Sequence, residues 1–406
     1  MKISIVTCTH NPKYIEELWY SIQKQTYTDW EWVILTNNGA RVIIDDDRVR
    51  IIDCPFKLKS VGFLKKYAFM QAKGDILLEA DHDDILTENC LEEVAKAFRD
   101  EEIGFVYSNN AKLVDKFVPY NKANGWEYRM FNYEGKELYE MIQFKPDAAS
   151  FAFIWYAPDH VRAWRRSVYY QIGGHNETME VLDDHELLIK TYMVTKCHHI
   201  DKCLYIYRIT GENTWIERQQ KIQTGTVELY NHYAYALAER EATLRGLQKI
   251  DLGGGFKKPA GYTSLDVKNG DINCDLNGTW DLKDDSVGIL RAHSVIEHLP
   301  DKMHTMSEAW RVLADGGWFM IMVPSTDGRG AYQDPTHVSY WNQNCFWYWT
   351  NKNQAQYIYN DKIKFQVFRL ETIYPSEYEK ENHIAYTIAY LRAIKSEERR
   401  PHYINI

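Results

Sequence analysis

The stretch "ILLEADHDDIL", Ile76 to Leu86, runs a mostly apolar strand into Asp81, Asp83 and Asp84 around His82. Carboxylates at such spacing repel one another and do nothing for the strand. Two of them one residue apart, with a third alongside, suit a hard divalent cation such as Mg²⁺ or Mn²⁺, bound through oxygen. A cation there would carry a phosphate and offset charge on a phosphate leaving group. The competing reading is a solvated acidic turn that caps the next helix. A second chemical stretch is "KIDLGGGF". Here a strand ends at Asp251 and a glycine turn follows, with Gly253 and Gly255 letting the backbone approach a ligand. Asp266, ending the next strand in "TSLDV", is placed to bind ribose hydroxyls. A third, "YQDPTHVSYWNQNCFWYW", Tyr332 to Trp349, is dense in His, Asp and aromatics and suits a lid or acceptor wall. His337, with Asp334, can serve there as base for a hydroxyl acceptor, or sit in a packed loop as a structural hydrogen-bonder.

These residues need elements to hold them. The first 110 residues alternate: "KISIVTCT" and "WEWVILTNNG" read as strands, "YIEELWYSIQKQ" and "GFLKKYAFMQAKG" as helices, and "DILLEA" as the strand before the aspartates. "TENCLEEVAKAFRD" opens with Thr87 as N-cap. Strand–helix alternation implies a mainly parallel sheet, where ligands bind beyond the carboxyl ends of the strands. A long helical pattern over 216–248 follows, and the alternation then restarts with "YTSLDV", "VGILRAHS", "WFMIMVPS", "FQVFRLETIY" and "HIAYTIAYLRAI". The expected class is α/β with two domains: residues 1–215, a helical linker 216–246, and 247–406.

The 406 residues exceed the usual single-domain size. A net charge of −9 argues against a dedicated nucleic-acid binder, although "HVRAWRRS" reads as a basic face that keeps that possibility open. No apolar run approaches the roughly 20 residues of a membrane span, and "MKISIVTCTHNP" lacks a signal-peptide apolar core. Seven scattered cysteines read as reduced thiols of a cytoplasmic protein. "CHHIDKC", Cys197 to Cys203, has a zinc-like look, but it runs on into "LYIYRI", which puts the cysteines on or beside a strand.

The order "SIVTCTHN", "WVILTNNG", "GFLKKYAFMQAKGDILLEADHDD", "AWRRSVYYQIGGHNE", "DDHELLIK" and "LYIYRI" resembles the family-two, A-fold (GT-A) nucleotide-sugar glycosyltransferases over residues 1–215. The resemblance implies a nucleotide-sugar donor, a glycan or similar hydroxyl acceptor, and inversion at the anomeric carbon. It implies Asp81 and Asp83 at the metal, with Asp81 also at the diphosphate. Thr9, Asn11, Asn37 and Asn38 would lie at the nucleotide base, and Lys66 or its neighbour Lys65 near the nucleotide. Asp184 in "VLDDHELLIK" would be the catalytic base; read without the resemblance, it is equally an acid at a helix N-terminus. Two departures stand out. Asn37 and Asn38 occur where the family often has Asp, and Thr210 stands where many relatives place a metal-reaching histidine.

The second half resembles class I S-adenosylmethionine-dependent methyltransferases of Rossmann-like fold, through "KIDLGGGF", "CDLNGTWDLKDDSVGILRAHSVIEHL" and "EAWRVLADGGWFMIMVPS". By that resemblance Asp251, Gly253, Gly255 and Asp266 hold S-adenosylmethionine, Asp275 and Leu276 lie at its adenine, and Ser294 lies near its methionine end. Here too there are departures: Lys257 replaces the usual third glycine, and "KKPAGY" with Pro259 cannot hold a full crossover helix. Together the two resemblances imply a transferase that adds a sugar and methylates the product, or one whose second domain only positions the acceptor.

Overall fold

A computed structural model describes residues 1–57, 59–114, 117–119, 125–210 and 218–401. The chain divides into two compact units. One comprises Met1–Tyr233 with residues 399–401, the other Ala234–Glu398.

The first unit is built on a mixed sheet, ten-stranded among the described residues. Strands β1 (Ile3–Thr9), β2 (Trp30–Thr36), β3 (Val49–Asp53) and β4 (Ile76–Glu79) lie in the order β3-β2-β1-β4, all parallel. Every residue of β2 and of β4 is buried, as strands covered on both faces require. The helix Val61–Gln71 enters through Ser60, whose Oγ accepts the Phe63 N–H at 3.2 Å.

The remaining strands are β5 (Ile85–Leu86), β6 (Ile103–Leu113), β7 (Glu127–Tyr133), β8 (Lys136–Ile142), β9 (Arg162–Arg165) and β10 (Lys196–Arg208). They extend the sheet as β4-β9-β6-β10-β5, with the β7–β8 hairpin on β6. Beyond β4 the expectation of a mainly parallel sheet gives way: β5, β7, β8 and β9 all pair antiparallel. A tight turn through Glu134 and Gly135, both with positive φ, sends β7 straight back as β8, and such a turn can only give an antiparallel pair. Cys197 to Cys203 lie on β10, all seven cysteines are free, and His199 bonds Asn109 Oδ1 at 2.7 Å. No metal-binding group forms at that stretch among the described residues.

The second unit holds β11 (Gln248–Leu252), β12 (Thr263–Asp266), β13 (Ile272–Asn273), β14 (Val287–His293), β15 (Leu313–Pro324), β16 (Lys364–Ile373) and β17 (Tyr386–Ile394). Their order is β13-β12-β11-β14-β15-β17-β16, and β17 enters antiparallel between β15 and β16. All five strand segments expected here form. Between β11 and β12 the chain makes a single 3-10 turn, Gly255–Lys257, because Pro259 leaves no room for a crossover helix. Trp280, Trp318 and Trp341 are fully buried in this unit.

The helix Gln219–Leu244 carries the chain from the first unit to the second; residues 216 and 217, where the sequence pattern begins, lie outside the described residues. Among the described residues no helix is long and apolar enough to cross a membrane.

Candidate active site

The first unit contains a cavity of about 500 Å³ at the carboxyl ends of β1 and β4. It is lined by Asn11, Asn37, Asp81, His82 and Asp83, and by Asp183 and Asp184 from the first turn of the helix Asp183–Val194. Lys65, His160, Arg162 and Thr210 also line it. Asn11 caps the short turn Pro12–Tyr14 by accepting the Lys13 N–H at 3.2 Å. The Asn37 N–H donates to the Thr9 carbonyl at 3.0 Å, so the ends of β1 and β2 are held together at the rim.

Beneath the cavity lies a buried charge network. Glu79, the last residue of β4, accepts from Lys65 Nζ at 2.6 Å and faces Arg162 Nη1 at 3.8 Å. Arg162 Nη1 donates to Asp184 Oδ2 at 2.7 Å, and Arg162 Nε to the Pro158 carbonyl at 2.8 Å. Lys112 Nζ reaches Asp159 Oδ2 at 2.8 Å. Two ions of this group are nearly sealed, Glu79 and Arg162 each being 2% exposed, and burial of this kind is tolerated only when charges are paired.

The network sorts the carboxyls into two kinds. Burial would raise Asp184, but the Arg162 guanidinium and then Lys65 outweigh it and hold the carboxyl below the usual range. Glu79 is held well below its usual value against burial, by Lys65 and then His160. Asp183, next door, has no such partner: burial pushes it up to about 7, with Lys65 opposing and Asp184 adding. At the strand end Asp83 is raised by burial and by Asp81, and Asp84 is raised well above its usual value by burial and then by Asp83 and Asp81. His160 is lifted to about 10 despite burial and Arg162, by Asp159 at 3.2 Å and by the Glu79 carboxylate 3.7 Å away.

A divalent cation fits this strand end. Asp83 and Asp84 are raised first by burial and then by the acids beside them; a cation would relieve both, and the oxygen donors suit a hard one. Glu79, Asp81 and His160 also bring one possible ligand atom each within 4.8 Å of one another. His160, charged at neutral pH, already stands as a fixed positive charge there, which leaves Asp81 and Asp83 as the open oxygen donors.

Not every expected residue reaches the cavity. Thr9 is fully buried at the end of β1, and Asn38 sits exposed in a left-handed turn at φ 54°. Lys66 pairs with Glu177 at 3.1 Å, whereas its neighbour Lys65 enters the cavity. Asp84 turns away and accepts the Arg208 backbone N–H at 2.7 Å, fixing β10 against the aspartate turn. Glu79, His160, Arg162 and Asp183 were not singled out from the sequence. The stretch holding His160 and Arg162 was read as a basic face, which the structure corrects. His160 and Arg162 are buried, and Arg165 donates to the carbonyls of Phe98, Asp100 and Ile103. Their signal was present: an Asp-His-x-Arg run beside an apolar strand needs buried partners.

In the second unit Asp251 is fully buried and takes the Arg291 guanidinium at 2.6 Å, while its Oδ2 has no partner. Gly253, at φ 65°, passes so close to Val295 that a Cβ would lie 2.5 Å from its Cγ2. Gly255, at φ 46°, faces the open side, with Asp266 Oδ2 at 3.6 Å from where its Cβ would be. Asp266 Oδ1 accepts the N–H groups of Lys268 and Asn269, which leaves Oδ2 turned to the glycine turn. An orphaned acid, a turn without side chains and a second acid at the next strand end fit the ribose and methionine ends of S-adenosylmethionine. Ser294 lies exposed at φ 50° after β14, and Asp275 is exposed and caps Asn277. Leu276 is a core residue, 7% exposed and packed in the cluster of Trp280. His337 Nδ1 donates to the Ala331 carbonyl at 3.0 Å, and its Nε2 lies 3.9 Å from both Glu297 and Asp334.

The chain combines a cavity at the strand ends of one α/β sheet with a glycine turn in a second α/β sheet. Residues 4–173 match the family model described as Glycosyl transferase family 2, and residues 256–321 match the one described as Methyltransferase domain. The chain thus carries a family 2 glycosyl transferase domain followed by a methyltransferase domain. Among curated proteins it is similar to the hyaluronan synthase of Pasteurella multocida, 26% identical over 227 residues, which is 53% of this chain and 21% of that one. The chondroitin synthase of Pasteurella multocida (strain Pm70) is 26% identical over 226 residues, with the same shares. The chain spans about a fifth of the length of these relatives. Among solved structures, S. aureus TarS 1-349 in complex with UDP-GlcNAc aligns with a TM-score of 0.44 at 16% identity, covering 60% of this chain and 73% of that one.

Proposed function

We propose that the first unit transfers a sugar from a nucleotide-diphosphate donor to a hydroxyl acceptor, inverting the anomeric carbon. The observation that carries this reading is that Asp184 lines the same cavity as Asp81 and Asp83. Asp184, kept deprotonated by Arg162, takes the proton of the acceptor hydroxyl as that oxygen bonds to the anomeric carbon and the bond to the diphosphate breaks. Lys65 and the charged His160 hold the network in place and balance Glu79 during the step. A divalent cation held by Asp81 and Asp83 would offset the charge arriving on the diphosphate. Asn11 and Asn37 at the rim are the residues placed for the nucleotide base.

The second unit methylates a hydroxyl of the sugar product, with Asp251, Gly253, Gly255 and Asp266 binding S-adenosylmethionine. A module that only positions the acceptor is the second reading, and the single 3-10 turn in place of a crossover helix favours it.

The deciding experiment is a thermal-shift panel of nucleoside diphosphates and sugar nucleotides, with and without Mn²⁺, alongside S-adenosylhomocysteine. Ligands that bind only the folded state raise the melting temperature. A Mn²⁺-dependent shift lost in Asp83→Ala supports the transfer reading, and no nucleotide shift under any condition refutes it. A separate shift with S-adenosylhomocysteine supports methylation; its absence leaves the positioning module.

A further inference from the structure

Glu297 follows β14 in the 3-10 turn Ile296–His298 and is 2% exposed, yet among the described residues neither of its carboxylate oxygens has a hydrogen-bond partner. A buried carboxylate with both oxygens orphaned is costly unless something positive completes it. Two histidines stand beside it, and each is oriented by a backbone carbonyl. His337 Nδ1 donates to the Ala331 carbonyl at 3.0 Å and His298 Nδ1 to the Thr336 carbonyl at 3.1 Å. A carbonyl only accepts, so in both rings Nδ1 carries a proton, and the neutral imidazole then offers its Nε2 lone pair as a ligand. The rings meet edge-on with centroids 5.0 Å apart, and His337 Nε2 lies 3.9 Å from Glu297 Oε1. That separation is too long for a hydrogen bond. It is close to the roughly 3.4 Å between two donors on one tetrahedral ion with bonds of about 2.1 Å.

We propose that Glu297, His298 and His337 form a binding site for a divalent transition-metal cation in the second unit. One ligand atom from each lies within 4.8 Å of the other two. The Val338 and Ser339 N–H groups, bonded to the Glu297 carbonyl at 2.9 and 3.0 Å, tie the His337 loop to the turn that carries the other two ligands. Asp334 Oδ2, 3.9 Å from His337 Nε2, is the nearest further oxygen. Two imidazoles and one carboxylate suit Zn²⁺ or Fe²⁺ better than Mg²⁺ and leave coordination positions open. Carbonyl-anchored Nδ1–H groups are the outer-shell pattern of metal-bound histidines. This use of Nε2 replaces the expectation that His337 is a proton acceptor, since one lone pair cannot do both. If the second unit methylates a hydroxyl, an open position on the cation is where that hydroxyl would be acidified. That last step rests on the methylation reading; the site itself does not.

The test uses the full chain, stripped with a chelator and titrated with Co²⁺, in an Asp81→Ala/Asp83→Ala background that removes the cation donors of the first unit. The expected result is visible d–d absorption that saturates at one equivalent and is lost in Glu297→Gln and in His298→Ala. His298 is exposed, so His298→Ala keeps the metal-free melting temperature of its parent and separates loss of metal from loss of fold. Absence of the band in the parent, or its survival in His298→Ala and Glu297→Gln, overturns the proposal. Neither outcome alters nucleotide or S-adenosylhomocysteine shifts measured without metal, so failure of this site is distinguishable from failure of either transfer reading.

Discussion

Replacing Arg162 by methionine keeps much of the side chain's volume but strips the charge that faces Asp184 at 2.7 Å and Glu79 at 3.8 Å. At an effective dielectric of about 20, those separations correspond to gross attractions of about 6 and about 4 kcal/mol. Most of that offsets the desolvation of two buried ions and the partly buried Asp184, so the net cost is that of leaving carboxylates unpaired, about 3–5 kcal/mol. In a unit of this size that lowers the melting temperature by roughly 10 °C. The sign follows from linkage: Asp184 and Glu79 lie below their usual values, so their stabilisation is present above the unfolded-state carboxylate range and disappears on acidification. The gap between wild type and Arg162→Met is therefore full at neutral pH and narrows toward acid. Urea unfolding of both proteins across that range measures it. Adding Asp184→Asn to Arg162→Met recovers part of the loss in a double-mutant cycle, since one stranded carboxylate is gone. A gap below about 1 kcal/mol at neutral pH, or a gap that widens on acidification, refutes the account of the network.

The same electrostatics separates two candidate bases kinetically. With Asp184 as base the acid limb of sugar transfer falls below the ordinary carboxylate range, whereas a base at Asp183 puts the half-maximum near pH 7; a pH–rate profile of kcat/KM reads this directly. Asp183→Asn raises the melting temperature near and above pH 7, where the wild-type side chain must ionise while buried. It changes little below about pH 3, where folded and unfolded chains both hold the proton, and equal shifts at the two pH values would contradict the burial argument. Gly253→Ala forces a left-handed alanine, at about 1–2 kcal/mol, against Val295. It abolishes the S-adenosylhomocysteine shift and leaves nucleotide shifts as in wild type.

Much of the fold was legible because β-branched runs such as "WVILT" and "FMIMV" are buried on both faces and announce strands with little ambiguity. The antiparallel half of the first sheet was not, since pairing direction there depends on where β9 and the β7–β8 hairpin dock and not on their composition. At the site, Asp81, Asp83 and Asp184 could be found because acids at strand and helix ends have few purely structural reasons to cluster. Glu79 looked like the end of a strand and Arg162 like surface charge. Only the third dimension shows Glu79 paired with Lys65 and Arg162 with Asp184. Leu276 and Asp275 are adjacent in sequence but divided between core and solvent, a distinction that neighbouring positions cannot carry by themselves.

The insertion of β17 between β15 and β16 has a consequence for how this chain is made. The strand that fills the gap is the last of its sheet to leave the ribosome, so until about residue 394 has emerged β15 and β16 each present an unpaired row of backbone groups. The β15 edge is apolar and extended, the kind of template on which nascent chains pair with one another. A premature stop anywhere after Pro324 and before Tyr386 therefore yields a sticky fragment and not a smaller working enzyme, and translation speed through this last stretch governs how much soluble protein is recovered.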